Sequence, residues 1–86
     1  MDMFLEVLEA EYLRDYLVKV KFNTGEVKLV DLKESLQGPV FEPLKDINFF
    51  RQFTIHFNTL EWQNGADFAP EYLFQVGKTI ISQNSK

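Results

Sequence analysis

The chain has 86 residues, 45% of them hydrophobic, nine of them phenylalanine and none of them cysteine. That length holds one hydrophobic core and hence one domain, 1–86, ordered over about residues 4–80, and the aromatic content argues against disorder. Nine Lys and Arg against thirteen Asp and Glu give a net charge of −4; this excess suits neither nucleic-acid phosphates nor acidic membranes, and the missing thiols exclude disulfides and thiolate metal sites.

In chain order, Phe4 to Tyr12 reads as a first strand, joined through Leu13-Arg14-Asp15 to a second, Tyr16 to Phe22. In the second, Tyr16, Val18, Val20 and Phe22 alternate with Lys19 and Lys21, the period of a half-buried strand. Asn23-Thr24-Gly25 supplies turn chemistry, and Glu26 to Val30 returns as a third strand. Apolar matching sets Phe22 opposite Val27 and Val20 opposite Leu29, and disfavours the one-residue slip that would face Val20 with Lys28. Pairing Tyr12 with Tyr16 brings Leu8 opposite Val20 and Glu9 opposite Lys19.

Beyond the third strand, Asp31 is suited to cap a short helical turn in which Leu32 and Leu36 share a face, with Gly38-Pro39 as its stop. Pro43 to Phe53 carries Leu44, Ile47, Phe50 and Phe53 at helical spacing. Thr54 to Phe57 and Leu60 to Trp62 predict a second hairpin around an Asn58-Thr59 turn. Pro70 opens a last helix with Tyr72, Leu73 and Val76 on its apolar side, and Ser82 to Lys86 reads as a frayed tail. The predicted class is α+β: an N-terminal three-stranded antiparallel meander, short helices and a second small β-hairpin.

Several strings resemble the bacterial domain-of-unknown-function family 2442: Phe22-Asn-Thr-Gly25-Glu26, Val30-Asp31-Leu32, Phe41-Glu-Pro43-Leu44 and, most specifically, Trp62-Gln-Asn64-Gly65-Ala66-Asp67-Phe68-Ala69-Pro70-Glu71. The similarity spans about Leu5 to Phe74; Gln63 stands where the family commonly has Pro, and Phe74 where it has Tyr. The resemblance implies a small α+β domain without assigned activity, in a family some of whose members are fused to helix-turn-helix domains or encoded beside small toxin-like proteins. A DNA-binding domain is not expected within these 86 residues. The implied role is an interaction module, antitoxin-like in character.

Residues able to carry chemistry are few. In the Trp62–Pro70 loop, Gly65 permits a tight reversal, Asn64 tolerates a left-handed conformation and Asp67 can bond N–H groups at the start of the last helix. That is the design of a rigid corner; contact with a partner or ligand is the alternative. His56, the one histidine, lacks metal-binding company and reads as a surface residue. Asp2, Glu6, Glu9, Glu11 and Asp15 read as a solvated, ion-paired face, as do Lys19, Lys21 and Lys28 on the outside of the hairpin. Ser35 and Ser82 have no nucleophile setting.

On the sheet face opposite the core, the chosen register places Leu5, Val7, Leu17 and Val30, to be covered by one of the chain's own helices or by another chain. The expectation is therefore a non-enzymatic, cofactor-free protein-interaction module with a protein partner or self-association, binding neither nucleic acid nor membrane. An accessory domain of a transcriptional regulator, or a small-ligand domain with a pocket at Trp62, Asn64 and Asp67, are the alternatives. No apolar run approaches membrane-span length and Asp2 stands where a signal peptide carries cations, so the expected location is the cytoplasm.

Overall fold

A computed structural model describes residues 4–81 and shows the predicted α+β class. Strands β1 (Val7–Arg14), β2 (Leu17–Phe22) and β3 (Val27–Asp31) form the meander. Two 3-10 segments follow, Lys33–Ser35 and Pro39–Lys45, then the single-turn helix α1 (Ile47–Phe50). Strands β4 (Thr54–His56) and β5 (Thr59–Glu61) make a separate hairpin. Helix α2 (Pro70–Val76) leads into β6 (Lys78–Ile81), which joins the sheet beside β3 in the antiparallel order β1-β2-β3-β6. The tail predicted for Ser82 to Lys86 lies outside the described residues, as does Asp2.

The β2–β3 register differs by one residue from the apolar match. Val20 faces Lys28, and Lys21 faces Val27. The turn decides this: Gly25 N–H donates to the Phe22 carbonyl, Phe22 N–H donates to the Glu26 carbonyl, and Gly25 takes φ +92°. A three-residue loop ending in a left-handed glycine fixes Phe22 against Glu26, and the pairing propagates from there. A lysine is tolerated on the core side because its long apolar stem can be covered while its head finds an acceptor.

At the β1–β2 junction the turn is Asp15-Tyr16, with Asp15 at φ +47°, and β1 is irregular between Val7 and Glu9 and between Tyr12 and Arg14. Ala10 therefore faces Val20, in place of Leu8, and Glu11 rather than Glu9 faces Lys19. The irregularity between Val7 and Glu9 turns Val7 inward, and the one-residue shift of β3 against β2 turns Val30 inward, so both, expected on the far face, are buried in the main core. Leu5 packs against that core and Leu17 is half-buried.

Downstream, the single helix expected over Pro43 to Phe53 is broken at Asp46, whose backbone is extended and whose carboxylate accepts from Asn48 N–H (3.0 Å). Asp46 serves as an N-cap, and an aspartate there competes with helix continuation. The hairpin turn is Phe57-Asn58, one residue earlier than expected. In α2 it is Leu73 and half-buried Phe74 that pack inward, whereas Tyr72 and Val76 are exposed. Asp31 accepts from Lys33 N–H (3.0 Å) but ends β3, one residue before the N-cap position, which Leu32 takes; Leu32 and Leu36 are both buried.

Phe50 is the centre of the core, in edge contact with Tyr12, Tyr16 and Phe53 and tilted against Trp62 at 5.6 Å. The α2–β6 segment closes over β3 at Gly77. A Cβ built there would lie 2.9 Å from Val30 Cγ2, 3.0 Å from Lys28 Cβ and 3.1 Å from the Leu73 carbonyl oxygen. The backbone of Gly77 is extended (φ −78°), so its requirement is space, not conformational freedom. Gly77→Ala is expected to lower stability by about 1–3 kcal/mol through overpacking, read as the midpoint shift in a urea melt; an unchanged midpoint would show that β3 gives way.

Candidate functional site

The Trp62–Pro70 string is consumed by the fold. Trp62 N–H donates to the Ala66 carbonyl and Gly65 N–H to the Trp62 carbonyl, with Gly65 at φ +89°, the same corner geometry that Gly25 makes after Phe22. The buried Trp62 indole donates through Nε1 to the Phe50 carbonyl (2.7 Å). Asn64 donates through Nδ2 to the Val40 carbonyl (2.9 Å) and accepts at Oδ1 from Ala66 N–H (3.2 Å), which fastens the corner to the 3-10 segment. Thr59 Oγ1 donates to the Phe68 carbonyl, and Phe68 stacks between Phe41 and Tyr72.

Two local expectations for this loop are corrected. Asn64 does not take a left-handed φ; its amide links the backbone of the 3-10 segment to that of its own loop instead. Asp67 does not cap α2, which starts from Ala69 without a side-chain bond; Asp67 forms an isolated antiparallel bridge to Glu61 and its side chain is exposed. Asn64, Gly65 and Asp67 reach the surface, but Trp62 does not.

Two surface concavities lie away from this loop. One, of about 220 Å³, lies on the outer sheet face against Glu9, Ala10, Glu11, Lys19, Lys21 and Val27. Its charges are arranged as facing pairs, Glu9 with Lys21 and Glu11 with Lys19, the latter joined at 3.4 Å. Lys28 is absent from this patch: the register carries it to the core face, where Nζ donates to the Phe74 carbonyl (2.6 Å) and lies 3.6 Å from the Phe74 ring centroid. A second cleft, of about 180 Å³, is lined by Tyr16, Leu36, Lys33 and Lys45. These residues are brought together from three segments, a convergence that no local pattern announces.

The tip of the β4–β5 hairpin is the other feature that reading the residues in order did not find. Phe57 and Asn58 both have left-handed backbones, φ +50° and +67°, as a two-residue hairpin turn of the primed type requires. Asparagine suits that turn; phenylalanine does not, since a left-handed conformation costs an L-residue with a Cβ about 1–2 kcal/mol. Phe57 is nevertheless 84% exposed, its ring tilted against that of His56 with centroids 4.2 Å apart. His56 Nδ1 in turn contacts Glu61 Oε1 at 2.6 Å. The Asn58 carbonyl accepts from Val7 N–H (2.9 Å), which anchors the tip to the start of β1. The signal in the sequence was Phe-Asn where Asn-Gly would be ordinary.

Among the described residues no group of three or more His, Cys, Asp or Glu side chains is placed to hold a metal ion, and no helix is long and apolar enough to cross a membrane. Ser35, without a base, shares a hydrogen bond with the Tyr72 hydroxyl.

Comparison with known proteins gives one positive result. No curated protein and no solved structure matches the chain. A family model described as a protein of unknown function, DUF2442, matches residues 7–78, from the first residue of β1 to the first of β6. With β1, β2, β3, both corners and α2 inside that span, the chain belongs to the DUF2442 family.

Proposed function

We propose that this protein is a protein-interaction module without catalytic function, whose contact surface is built around Phe57 at the tip of the β4–β5 hairpin. The supporting observation is that this residue is unfavourable twice over for the isolated domain. Its backbone is in the left-handed region and its ring is in water. Strain and apolar exposure held at one prominent position are characteristic of functional surfaces, because a partner relieves the second cost. The narrower form of the reading is the antitoxin-like half of a two-protein pair.

Tagged protein isolated from its native host is expected to retain a stoichiometric companion chain, seen by mass spectrometry, and the Phe57→Asn variant is expected to lose it. Recovery of the bare monomer from both preparations, with no association of purified copies with one another, would sink the proposal.

A further inference from the structure

The molecule carries a cleft suited to its own hairpin tip. We infer that Phe57 docks into the cleft formed by Tyr16, Leu36, Lys33 and Lys45 of a second copy of the chain, which rests on the reading of the tip as a contact surface. The cleft holds about 180 Å³, and a cavity of roughly 150 Å³ is enough to accept a benzene ring. Its floor is apolar: Leu36 is buried, and the half-buried Tyr16 ring makes a T-shaped contact with Phe50, centroids 5.2 Å apart.

Lys33 and Lys45 also contribute to the lining of the cleft. Ammonium groups beside a ring favour an aromatic entrant over an aliphatic one, through attraction to the face of its π-system. Lys45 is shared with Glu42 at 3.0 Å, whereas no ion pair of Lys33 is present among the described residues. The tip carries the complementary charge, since Glu61 lies directly behind Phe57 through His56.

Tip and cleft lie at opposite ends of the sheet. Asn58 anchors the tip at Val7, where β1 begins, while Tyr16 belongs to the turn where β1 has ended. Eight residues of strand separate them by about 25 Å. Two copies arranged antiparallel about a two-fold axis satisfy both contacts at once, each tip entering the other's cleft, and the assembly closes as a dimer. A dimer held only by two side-chain insertions is weak, on the order of 100 μM.

Sedimentation equilibrium of the full chain from roughly 10 μM to roughly 1 mM, a range bracketing that affinity, tests the inference. The expected result is a monomer–dimer equilibrium. Phe57→Asn is expected to weaken it at least about tenfold, as for loss of an anchor residue, while melting at or above the wild-type temperature because asparagine relaxes the turn. Lys33→Glu with Lys45→Glu is expected to weaken it similarly. Mixing these two variants restores one tip and one cleft, so the mixture should associate more strongly than either alone.

A wild type that stays monomeric throughout would overturn docking onto a second copy, as would open-ended polymers or a dimer indifferent to Phe57→Asn. Retention of a different, stoichiometric companion from the native host, lost in Phe57→Asn, would then show that the tip works but receives another chain. Absence of both would remove the tip reading itself.

Discussion

Trp62→Ala is expected to destabilise the domain by about 3–5 kcal/mol, the range for truncating a buried aromatic. For an 86-residue chain the total stability is of order 4–13 kcal/mol, so this substitution removes a large share of it. The reason is that Trp62 joins three separate parts of the fold. Its ring packs against Phe50, Phe53 and Phe68. Its indole N–H satisfies the carbonyl of Phe50, the last residue of α1, at a helix end where carbonyls have no partner within the helix.

Trp62→Phe separates these roles. It keeps most of the apolar contact but orphans the Phe50 carbonyl, which should cost about 1–3 kcal/mol beyond the lost volume. Urea melts followed by circular dichroism measure both variants, since Trp62 is the chain's one tryptophan and its fluorescence disappears with it. Equal stability of Trp62→Phe and wild type would show that water replaces the indole at Phe50.

How much of this was legible in the sequence depends on how local its cause is. The alternation of Val18, Val20 and Phe22 on β2 needs only neighbouring residues, and all three are buried as read. The two glycine corners were also readable, because Gly25 and Gly65 act through their own backbones. In the register of β2 against β3 two local signals disagree: apolar matching favours Phe22 opposite Val27, and the loop favours Phe22 opposite Glu26. The loop wins, as a turn forms from adjacent residues and constrains every pair beyond it.

Non-local causes were invisible. β6 has four residues, Lys78–Ile81, and exists because β3 lies alongside, about fifty residues away in sequence. The same limit explains the site. Asn64 was recognisable as a turn residue, but its bond to Val40 depends on a 3-10 segment that propensity does not announce. The cleft between Tyr16 and Lys45 is held by a hydrogen bond from the Tyr16 hydroxyl to the Lys45 carbonyl, a contact spanning 29 positions. Aromatic propensity alone puts Phe57 on a strand; its position in the turn follows from the pairing of His56 with Thr59.

The second large effect is expected at Lys28, where the same register leaves a cation on the inner face. Lys28 is only 8% exposed. Its stem lies against Gly77, its ammonium covers the Phe74 ring, and it donates to the Phe74 carbonyl in the last turn of α2. A cation at a helix C-terminus and over an aromatic face is favourable on both counts.

Lys28→Glu reverses each of these interactions and adds a carboxylate without a donor, for which the expected loss is about 3–5 kcal/mol, that of an uncompensated buried charge. Lys28→Met preserves the stem and leaves the Phe74 carbonyl, which is only partly buried, to water; the expected loss is about 1 kcal/mol. Hydrogen exchange should localise the damage in Lys28→Glu to residues 73–81, where α2 and β6 rest on β3. If the Glu and Met variants proved equally stable, the ammonium would have no part in holding that segment, and packing around Gly77 alone would account for the closure.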